Sequence, residues 1–381
     1  MKRRTIKLLG LIIAATMSVS MLAGCGSQSA STSDSTPASS EAGEKNSAEK
    51  MSNEEIIKEA AGEGKVGNWG LGNEYEVKAL LAKYGLPTEY LSQDFTMDGF
   101  DDDSITLASA MTYNELGLVK NNYDGGYGYG NEAGIIDMND EGVAMLEDNI
   151  FCSKKFAAEN PNVVKAFLYA SLKGWEYAAE NPEEAAEICF EAGSSVSQDH
   201  QKYMAVEAAK LVSTDMSGNK VTDDIGKIND KAMQQTLDIA KKYVTLDDSS
   251  AQEKFKNLTL DDIRDTSFYE AAKASTDGKF DVEKNEISIQ LKWLPDAQFM
   301  GYYVAEAKGY YKDAGLKVNI VSGGGDISET TAVNNGTVDF GVTWPTNMAV
   351  ADAGGMDLVE IAQIFQRSGL TLVYKNKNFE K

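Results

Sequence analysis

Arginine is nearly absent from this 381-residue sequence. Its four arginines are Arg3 and Arg4, in a basic amino-terminal segment, and Arg264 and Arg367 further along. Because arginine is the side chain best suited to bidentate recognition of phosphate and carboxylate groups, an anionic ligand is disfavoured. The chain has 59 acidic and 36 basic residues, and its net charge of −23 argues against nucleic acid and anionic membrane surfaces as partners.

Cysteine and histidine are almost as rare, with three and one in the whole sequence. Beyond Cys25, only Cys152 and Cys189 remain. Two cysteines make no zinc spacing, haem motif or disulfide framework, although a single bridge between them stays open. We therefore expect no metal and no cofactor. No nucleophile with a neighbouring base is evident, and His200 stands alone, so a binding protein is favoured over an enzyme.

The sequence also lacks an apolar run long enough to suggest a membrane-spanning helix. Four basic residues lie among the first seven, and the apolar stretch that begins at residue 8 is interrupted by polar residues before it reaches the required length of about 20. Leu22-Ala23-Gly24-Cys25 then follows, a pattern typical of bacterial lipoprotein export signals. We expect residues 1–24 to be the signal peptide and Cys25 to carry the lipid that anchors the protein to the outer face of the cell membrane. Residues 25–50, rich in serine, predict a flexible tether.

Beyond residue 50, short apolar strands alternate with amphipathic helices, as is typical of α/β domains. The remaining length of about 330 residues exceeds what one compact core usually supports, which indicates two lobes. The pattern predicts an α/β lobe over residues 51–150, a helical segment over 151–284 that packs on the other lobe, and that other α/β lobe over 285–381. A cleft between two such lobes is a standard place for a small ligand.

Several individual elements can be predicted from local signals. Ser52 followed by Glu55 has the capping-box spacing that starts a helix. Asn181-Pro182 separates two helical patterns. The main predicted helices are 52–61, 74–83, 162–179, 182–191, 201–211, 231–243, 297–310, 327–335 and 346–353. The predicted strands are 65–69, 88–93, 105–112, 286–291, 317–321, 338–343, 358–365 and 370–374.

Two stretches of the chain carry recognisable motifs. The most specific runs from Gln290 to Phe299 and continues through Gly301-Tyr302-Tyr303; further matches lie at 364–369, 67–76 and 109–115. By these motifs the chain resembles the thiamine-pyrimidine-precursor family of substrate-binding proteins. The resemblance covers most of residues 55–190 and 285–375 and is weak between 200 and 280.

The resemblance implies a two-lobed fold of the periplasmic-binding-protein kind (type II), with the ligand cleft between the lobes. It also implies a monomer that captures a small planar heterocycle, such as a pyrimidine precursor of thiamine, and delivers it to the membrane permease of an ABC importer. A riboflavin-type ligand is one alternative. A second is the pyrimidine-precursor synthase branch of the same superfamily, whose members use iron-binding cysteines and sacrifice a histidine; this chain has no cysteine cluster.

The order of the two stretches is reversed relative to the family. There, the segment matching 286–374 comes first and the segment matching 52–191 follows, which indicates a circular permutation. The family's ends are joined here near Lys284 and Asn285, and new ends lie at Met51 and Lys381. We expect residues 51–145 and 155–381 to form one lobe each, so that the new ends cut a connection between the lobes and loosen the hinge.

Aromatic and carboxylate side chains recur in the recognisable loops. Flat aromatic rings suit a planar ligand, and Trp293 and Trp344 each lie near a proline at the carboxyl end of a predicted strand, where ligand crevices form. Carboxylates can accept hydrogen bonds from an exocyclic amine, and asparagine can donate and accept. Core packing of the aromatics, a helix-start role for Glu74 and turn roles for the asparagines are the alternatives. The predicted ligand-binding residues are Trp293, Asp296, Phe299, Tyr302, Trp344, Trp69, Asn73, Glu74, Tyr75, Met111, Tyr113, Asn114 and Glu115.

Overall fold

The computed structural model describes residues 51–380. The expected signal peptide, Cys25 and the whole of the expected tether therefore lie outside the described residues. None of the described helices combines the length and the apolar character that crossing a membrane requires.

Within residues 51–380, ten strands form two separate five-stranded sheets. The strands are β1 (Val66–Asn68), β2 (Leu91–Ser92), β3 (Leu107–Met111), β4 (Ala133–Asp137), β5 (Asn149–Ser153), β6 (Glu286–Gln290), β7 (Lys317–Val321), β8 (Phe340–Gly341), β9 (Leu358–Gln363) and β10 (Leu370–Lys375). The first sheet has the order β2-β1-β3-β10-β4 and defines the N-terminal lobe. The second has the order β7-β6-β8-β5-β9 and defines the C-terminal lobe.

The two sheets share one layout. In each, three neighbouring strands run parallel, as β2, β1 and β3 do in the first sheet and β7, β6 and β8 do in the second. The fourth strand, β10 or β5, is antiparallel to both of its neighbours. Each antiparallel strand follows directly on a crossing from the other lobe, so each lobe is completed by a strand that the chain contributes from across the cleft.

Helices surround both sheets. They are α1 (Asn53–Gly62), α2 (Glu74–Lys83), α3 (Asp98–Asp101), α4 (Glu115–Lys120), α5 (Lys154–Glu159), α6 (Pro161–Glu180), α7 (Pro182–Glu191), α8 (Gln198–Ser213), α9 (Asp230–Tyr243), α10 (Ser249–Asn257), α11 (Leu260–Ile263), α12 (Ser267–Ala274), α13 (Met300–Ala307), α14 (Tyr310–Asp313), α15 (Glu329–Asn334) and α16 (Pro345–Ala353). Short 3-10 turns lie at Gly130–Glu132, Thr222–Asp224, Ala297–Phe299 and Asn376–Asn378.

The local signals of the sequence locate many of these elements well. Ser52 caps α1, and the Ser52 side chain and Glu55 carboxylate satisfy each other's backbone N–H groups as a capping box does. Helix α2 has the predicted bounds, and Pro182 begins α7 directly after α6 ends. The predicted helix over 297–310 is shorter: it opens with a 3-10 turn, and α13 ends before Gly309, which adopts a left-handed conformation (φ 75°).

The helical segment between β5 and β6 packs mainly on the C-terminal lobe. Helix α6 lies against α13, α12 against β9, and α10 against α16. However, α8 also contacts α4, and α9 also contacts α2, so this segment reaches the N-terminal lobe as well.

The predicted division into lobes differs from the sheets at β10. Residues 285–381 were expected in one lobe, but β10 pairs with β3 and β4 at the heart of the N-terminal sheet. A fully buried strand, with every residue from Leu370 to Lys375 inaccessible, fits either sheet by its sequence pattern alone. The chain therefore crosses between the lobes twice, over residues 138–148 and 364–369.

Both ends of the described chain belong to the N-terminal lobe. At one end the Asn53 amide donates to Glu141 Oε1, at 2.9 Å. At the other, Asn378 Nδ2 donates to Asp103 Oδ1 at 2.9 Å, and Asn376 Nδ2 donates to the Asn131 carbonyl at 2.8 Å. The expectation that the new ends cut a connection between the lobes is therefore wrong, because both crossing segments are intact.

Candidate functional site

A cavity of about 650 Å³, including its open mouth, lies between the two lobes. The N-terminal lobe contributes the loops that follow β1, β2 and β3, and the C-terminal lobe those that follow β6 and β8. The carboxyl ends of parallel strands meet at one edge of a sheet, which is why these loops converge. The cavity is lined by Trp69, Leu71, Phe95, Met111, Tyr113, Asn114, Glu115, Lys292, Trp293, Gln298 and Trp344.

Three tryptophans give the cavity its aromatic character. Trp69 directly follows β1, Trp293 follows β6 by three residues, and Trp344 precedes Pro345 at the start of α16. Trp344 is buried, whereas Trp69 and Trp293 are partly exposed. A flat ligand could stack on such rings, which would add about 0.5–1.5 kcal/mol per pair beyond the burial of area.

Glu115 is the carboxylate on the cavity wall, and it is 7% exposed. The backbone N–H of Met111 donates to Glu115 Oε2 at 2.9 Å, and Asn114 Nδ2 donates to Oε1 at 3.0 Å. Burial raises the pKa of Glu115 to about 7, although the hydrogen bond from Met111 opposes that shift. A ligand amine that reaches this carboxyl would meet a strong acceptor, since charge-assisted hydrogen bonds are the strong ones.

Asp148 lies behind the wall and positions two of the lining side chains. Trp344 Nε1 donates to Asp148 Oδ1 and Gln298 Nε2 donates to Oδ2, both at 2.9 Å. The Asp148 carbonyl in turn accepts the backbone N–H groups of Ile364 and Phe365, at 3.0 and 3.1 Å. One residue therefore links the cavity wall to both of the segments that cross between the lobes.

Lys292 supplies the one positive charge among the cavity-lining residues, and that charge is matched. Its ammonium lies 4.7 Å from the ring centre of Trp344, a cation–π distance, and 3.3 Å from Glu329 Oε1. Glu329 also accepts a hydrogen bond from Thr343, at 2.5 Å. Because Lys292 is already paired with Glu329, it would attract an anionic ligand less strongly than an unpaired lysine would.

The two arginines of the described chain do not line the cavity. Arg367 pairs with Asp137 at 3.1 Å, and Arg264 pairs with Asp230 on the surface. The site therefore lacks the bidentate guanidinium that recognises phosphate most strongly.

Contacts across the mouth of the cavity hold the lobes against each other. The Phe95 and Trp293 rings, from opposite lobes, lie 5.1 Å apart between centroids. Asn347 Nδ2 of α16 donates to the Leu71 carbonyl at 3.1 Å. Gly72 has φ 114°, and a side chain there would clash with Asn347. Glycine is required at this position both by its backbone conformation and by the close approach of the other lobe.

Seven of the predicted ligand-binding residues line the cavity. They are Trp69, Met111, Tyr113, Asn114, Glu115, Trp293 and Trp344. Glu74 and Tyr75 instead line an adjoining space, which also touches Trp293 and the glycine loop at 324–325. The Glu74 carboxylate accepts the Gly72 backbone N–H at 2.8 Å, as a residue that stabilises a turn does.

The other four predicted residues are buried away from the cavity. Asp296 is the N-cap of the 3-10 turn at Ala297–Phe299 and accepts the Gln298 backbone N–H. Burial raises the pKa of Asp296 to about 8, and the charges of Asp148 and Glu115 add to the effect. Phe299 and Tyr302 are core residues, with Tyr302 packed edge-on against Trp175, and the Asn73 amide lies against the sulfur of Met111.

Sequence reasoning missed four residues that line the cavity, Leu71, Phe95, Lys292 and Gln298. Lys292 and Gln298 lie inside the recognisable motif from Gln290 to Phe299, so the motif held a signal for them. Leu71 lies within the matched stretch 67–76 but carries no polar or aromatic group that would have marked it. Phe95 lies in a loop outside the matched stretches.

Two lobes with matching mixed sheets and an aromatic cavity between them define a ligand-binding protein with a periplasmic-binding-protein-like fold. More particularly, the chain belongs to the NMT1/THI5-like family, whose family model matches residues 50–185 and 296–379. The two matched segments are consistent with a permuted arrangement. Family membership indicates a small-ligand-binding protein of the kind that works with a transporter and is generally extracytoplasmic. No curated protein and no solved structure matches the chain.

Proposed function

We propose that this protein is the substrate-binding component of an ABC importer and captures a small planar heterocycle bearing an amine, such as a pyrimidine precursor of thiamine. One observation carries the proposal: three tryptophans and a buried carboxylate, Glu115, line a single cavity between two lobes. The rings suit stacking, and the carboxylate suits an exocyclic amine or a protonated ring nitrogen. Without its open mouth the cavity has a volume of about 140 Å³, which is below the usual range of about 300–1,000 Å³ for small-molecule sites and favours a ligand of one small ring.

Capture would proceed by closure of the lobes. Phe95 and Leu71 on one lobe and Trp293 and Asn347 on the other make the contacts that a closed form needs. A ligand held on both sides of the cleft favours the closed form by its differential affinity for the two states. The permease of the importer is the expected partner of that form.

A thermal-shift panel tests the proposal. It would compare thiamine pyrimidine precursors, thiamine, riboflavin and nucleobases, each alone and, where available, as the phosphate ester. A ligand at a hundredfold excess over its dissociation constant stabilises the folded state by about 2.7 kcal/mol. We expect neutral or cationic aminopyrimidines to give the largest shifts. Tighter binding of a phosphate ester than of its parent would contradict the proposed ligand class, and a chemically altered ligand after incubation would favour an enzyme.

We propose that the mature protein is held at the outer face of the cell membrane by lipid on Cys25. The motif Leu22-Ala23-Gly24-Cys25 supports this assignment. Metabolic labelling with a clickable fatty acid would test it: the wild type should be labelled and Cys25→Ala should not. Equal labelling of the two proteins would exclude this anchor.

We also propose that the chain is a circular permutation of the family order. The proposal is supported by the two matched segments and by the contacts of Asn53 and Asn378, near the ends of the described residues, with the same lobe. New ends are tolerated where few buried contacts are interrupted.

A further inference from the structure

His200 is the only histidine of the chain, and the proposed function does not use it. It lies in the first turn of α8 and is 1% exposed. Its two ring nitrogens each have a partner: Nδ1 lies 2.6 Å from the Tyr123 hydroxyl, and Nε2 lies 2.8 Å from Asn114 Oδ1. A buried ring with both nitrogens engaged has a fixed orientation.

The partners of Asn114 determine which groups donate and which accept in the hydrogen bonds around His200. Asn114 Nδ2 lies 3.0 Å from Glu115 Oε1. Above about pH 7 the Glu115 carboxyl is ionised and can only accept, so the amide nitrogen donates to it. The amide oxygen Oδ1 then faces His200 and must accept a proton from Nε2. With its proton on Nε2, the neutral ring accepts at Nδ1, and Tyr123 donates there.

Burial favours the neutral ring that this direction requires. It lowers the pKa of His200 to about 4, so the imidazole is uncharged at neutral pH. The titratable side chains that face the ring are Tyr123 and Tyr203. The Tyr203 ring stacks on the imidazole at 6.2 Å, but its hydroxyl donates to the Thr112 carbonyl rather than to His200.

We propose that His200 is a positioning residue of the ligand cavity. By donating from Nε2 it holds the Asn114 amide with its nitrogen toward Glu115, so that the two neighbouring side chains present a donor and an ionised acceptor on the cavity wall. A ligand edge that carries an amine beside a ring nitrogen, as in a 4-aminopyrimidine, complements that pair. The choice of ligand rests on the proposed function. The hydrogen bonds among Tyr123, His200, Asn114 and Glu115 do not depend on it.

The opposite direction gives a distinguishable structure. If the Asn114 amide were reversed, its nitrogen would donate to His200 Nε2 and its oxygen would accept from a protonated Glu115. The imidazole proton would then be on Nδ1. The tautomer of His200 therefore reports the orientation of Asn114, which electron density alone seldom distinguishes.

The decisive experiment is nitrogen NMR of the full chain labelled with ¹⁵N-histidine, in which one residue gives the whole signal. At about pH 8.5, where Glu115 is ionised, we expect a single neutral tautomer protonated at Nε2, identified by the couplings of each nitrogen to the ring carbon-bound protons. Tyr123→Phe removes the donor to Nδ1 and should mix the tautomers, whereas the matched control Tyr203→Phe should leave them unchanged. A proton on Nδ1, or on both nitrogens, in the wild type would overturn the proposal.

Ligand binding supplies the second arm, with 4-aminopyrimidine as the probe. His200→Leu removes the donor to Asn114 and should weaken binding by about tenfold, while His200→Gln, which can donate to the same oxygen, should restore part of the loss. Equal affinity in the wild type and His200→Leu would refute the positioning role. Failure of the probe to bind even the wild type would instead count against the proposed function, and the tautomer would still decide the network.

Discussion

The rings of Phe95 and Trp293 lie 5.1 Å apart between centroids, with their planes inclined by 58°. Phe95 comes from the N-terminal lobe and Trp293 from the C-terminal lobe, so the pair is a contact between the lobes. Phe95 is also 51% exposed and lines the cavity. The pair therefore joins the two lobes at the aromatic wall of the cavity, and under the proposed capture by lobe closure it would form in the closed protein.

Phe95→Ala should weaken ligand binding without destabilising the free protein. The substitution removes a contact specific to the closed form, so the closed fraction falls and apparent affinity falls with it, by about three- to tenfold. Leu91→Ala is the matched control, because Leu91 is similarly exposed (41%) and does not line the cavity. Calorimetric titration and melting temperature of both variants measure the effect. Equal affinities in the two variants would mean that Phe95 plays no part in closure.

Trp293→Ala should separate a ligand contact from a core contact. If Trp293 stacks on the ligand, binding weakens by about 1–3 kcal/mol while the melting temperature of the free protein stays nearly unchanged. Trp175 is the internal comparison, since it is fully buried against Tyr302 and its replacement by alanine should cost about 3–5 kcal/mol of stability. A destabilisation by Trp293→Ala as large as that of Trp175→Ala would assign Trp293 to the core.

Glu360→Gln should make stability less sensitive to alkaline pH. Burial raises the pKa of Glu360 to about 8, while Asn149 donates to its Oε2 at 2.7 Å. A carboxyl whose folded-state pKa is raised contributes its full stability below the unfolded pKa and loses that contribution as the pH rises through the folded pKa. The stability of the variant relative to the wild type should therefore rise between about pH 5 and about pH 8.5, by up to about 4 kcal/mol.

Thermal unfolding of both proteins at the two pH values measures this change in relative stability. The other buried carboxyls are common to both proteins, so their contributions cancel in the difference. Exposed Glu187 of α7 provides the control substitution Glu187→Gln, which should show no such trend. A pH-independent difference between Glu360→Gln and the wild type would show that Glu360 is ionised in the folded protein.

Rejoining the chain in the family order should leave binding nearly intact. Linking Lys381 to Met51 and opening the chain at Lys284 changes no segment that crosses between the lobes. We therefore expect the same rank order of ligands and affinities within about tenfold, or about 1.4 kcal/mol. Side-by-side titration of both versions is the test. A changed rank order would mean that the junctions themselves shape the cavity.

Much of the secondary structure could be predicted from the sequence because it depends on local signals. The capping box at Ser52, the proline that starts α7 and the apolar run of β3 each act over a few residues, so their effect could be predicted. The lobe to which β10 belongs could not be. Its residues are buried on both faces, and the sequence pattern of such a strand does not indicate which sheet it joins. β4 and β5 were missed because neither carried a clear strand pattern.

The residues of the candidate site likewise fall into those that local sequence predicted and those that depend on contacts between distant segments. Motif residues that follow parallel strands, such as Trp69, Trp293 and Asn114, line the cavity, because topology places the ends of those strands together. Tyr302 belongs to the same motif as Trp293, but it is buried in the core. Phe95 and Asp148 could not be found from sequence, since their roles depend on contacts with the other lobe or with the crossing segments.

Calorimetric titration of the wild type with 4-aminopyrimidine and with unsubstituted pyrimidine tests the central claim most directly. The two probes differ only in the amine that Glu115 is proposed to accept. We predict saturable one-to-one binding of 4-aminopyrimidine, at least about tenfold tighter than that of pyrimidine, since a hydrogen bond to a charged group contributes about 1.5–3 kcal/mol. Glu115→Gln should remove most of that preference. Equal affinities for the two probes, or no binding of 4-aminopyrimidine at all, would contradict the claim that this cavity recognises an amine-bearing heterocycle.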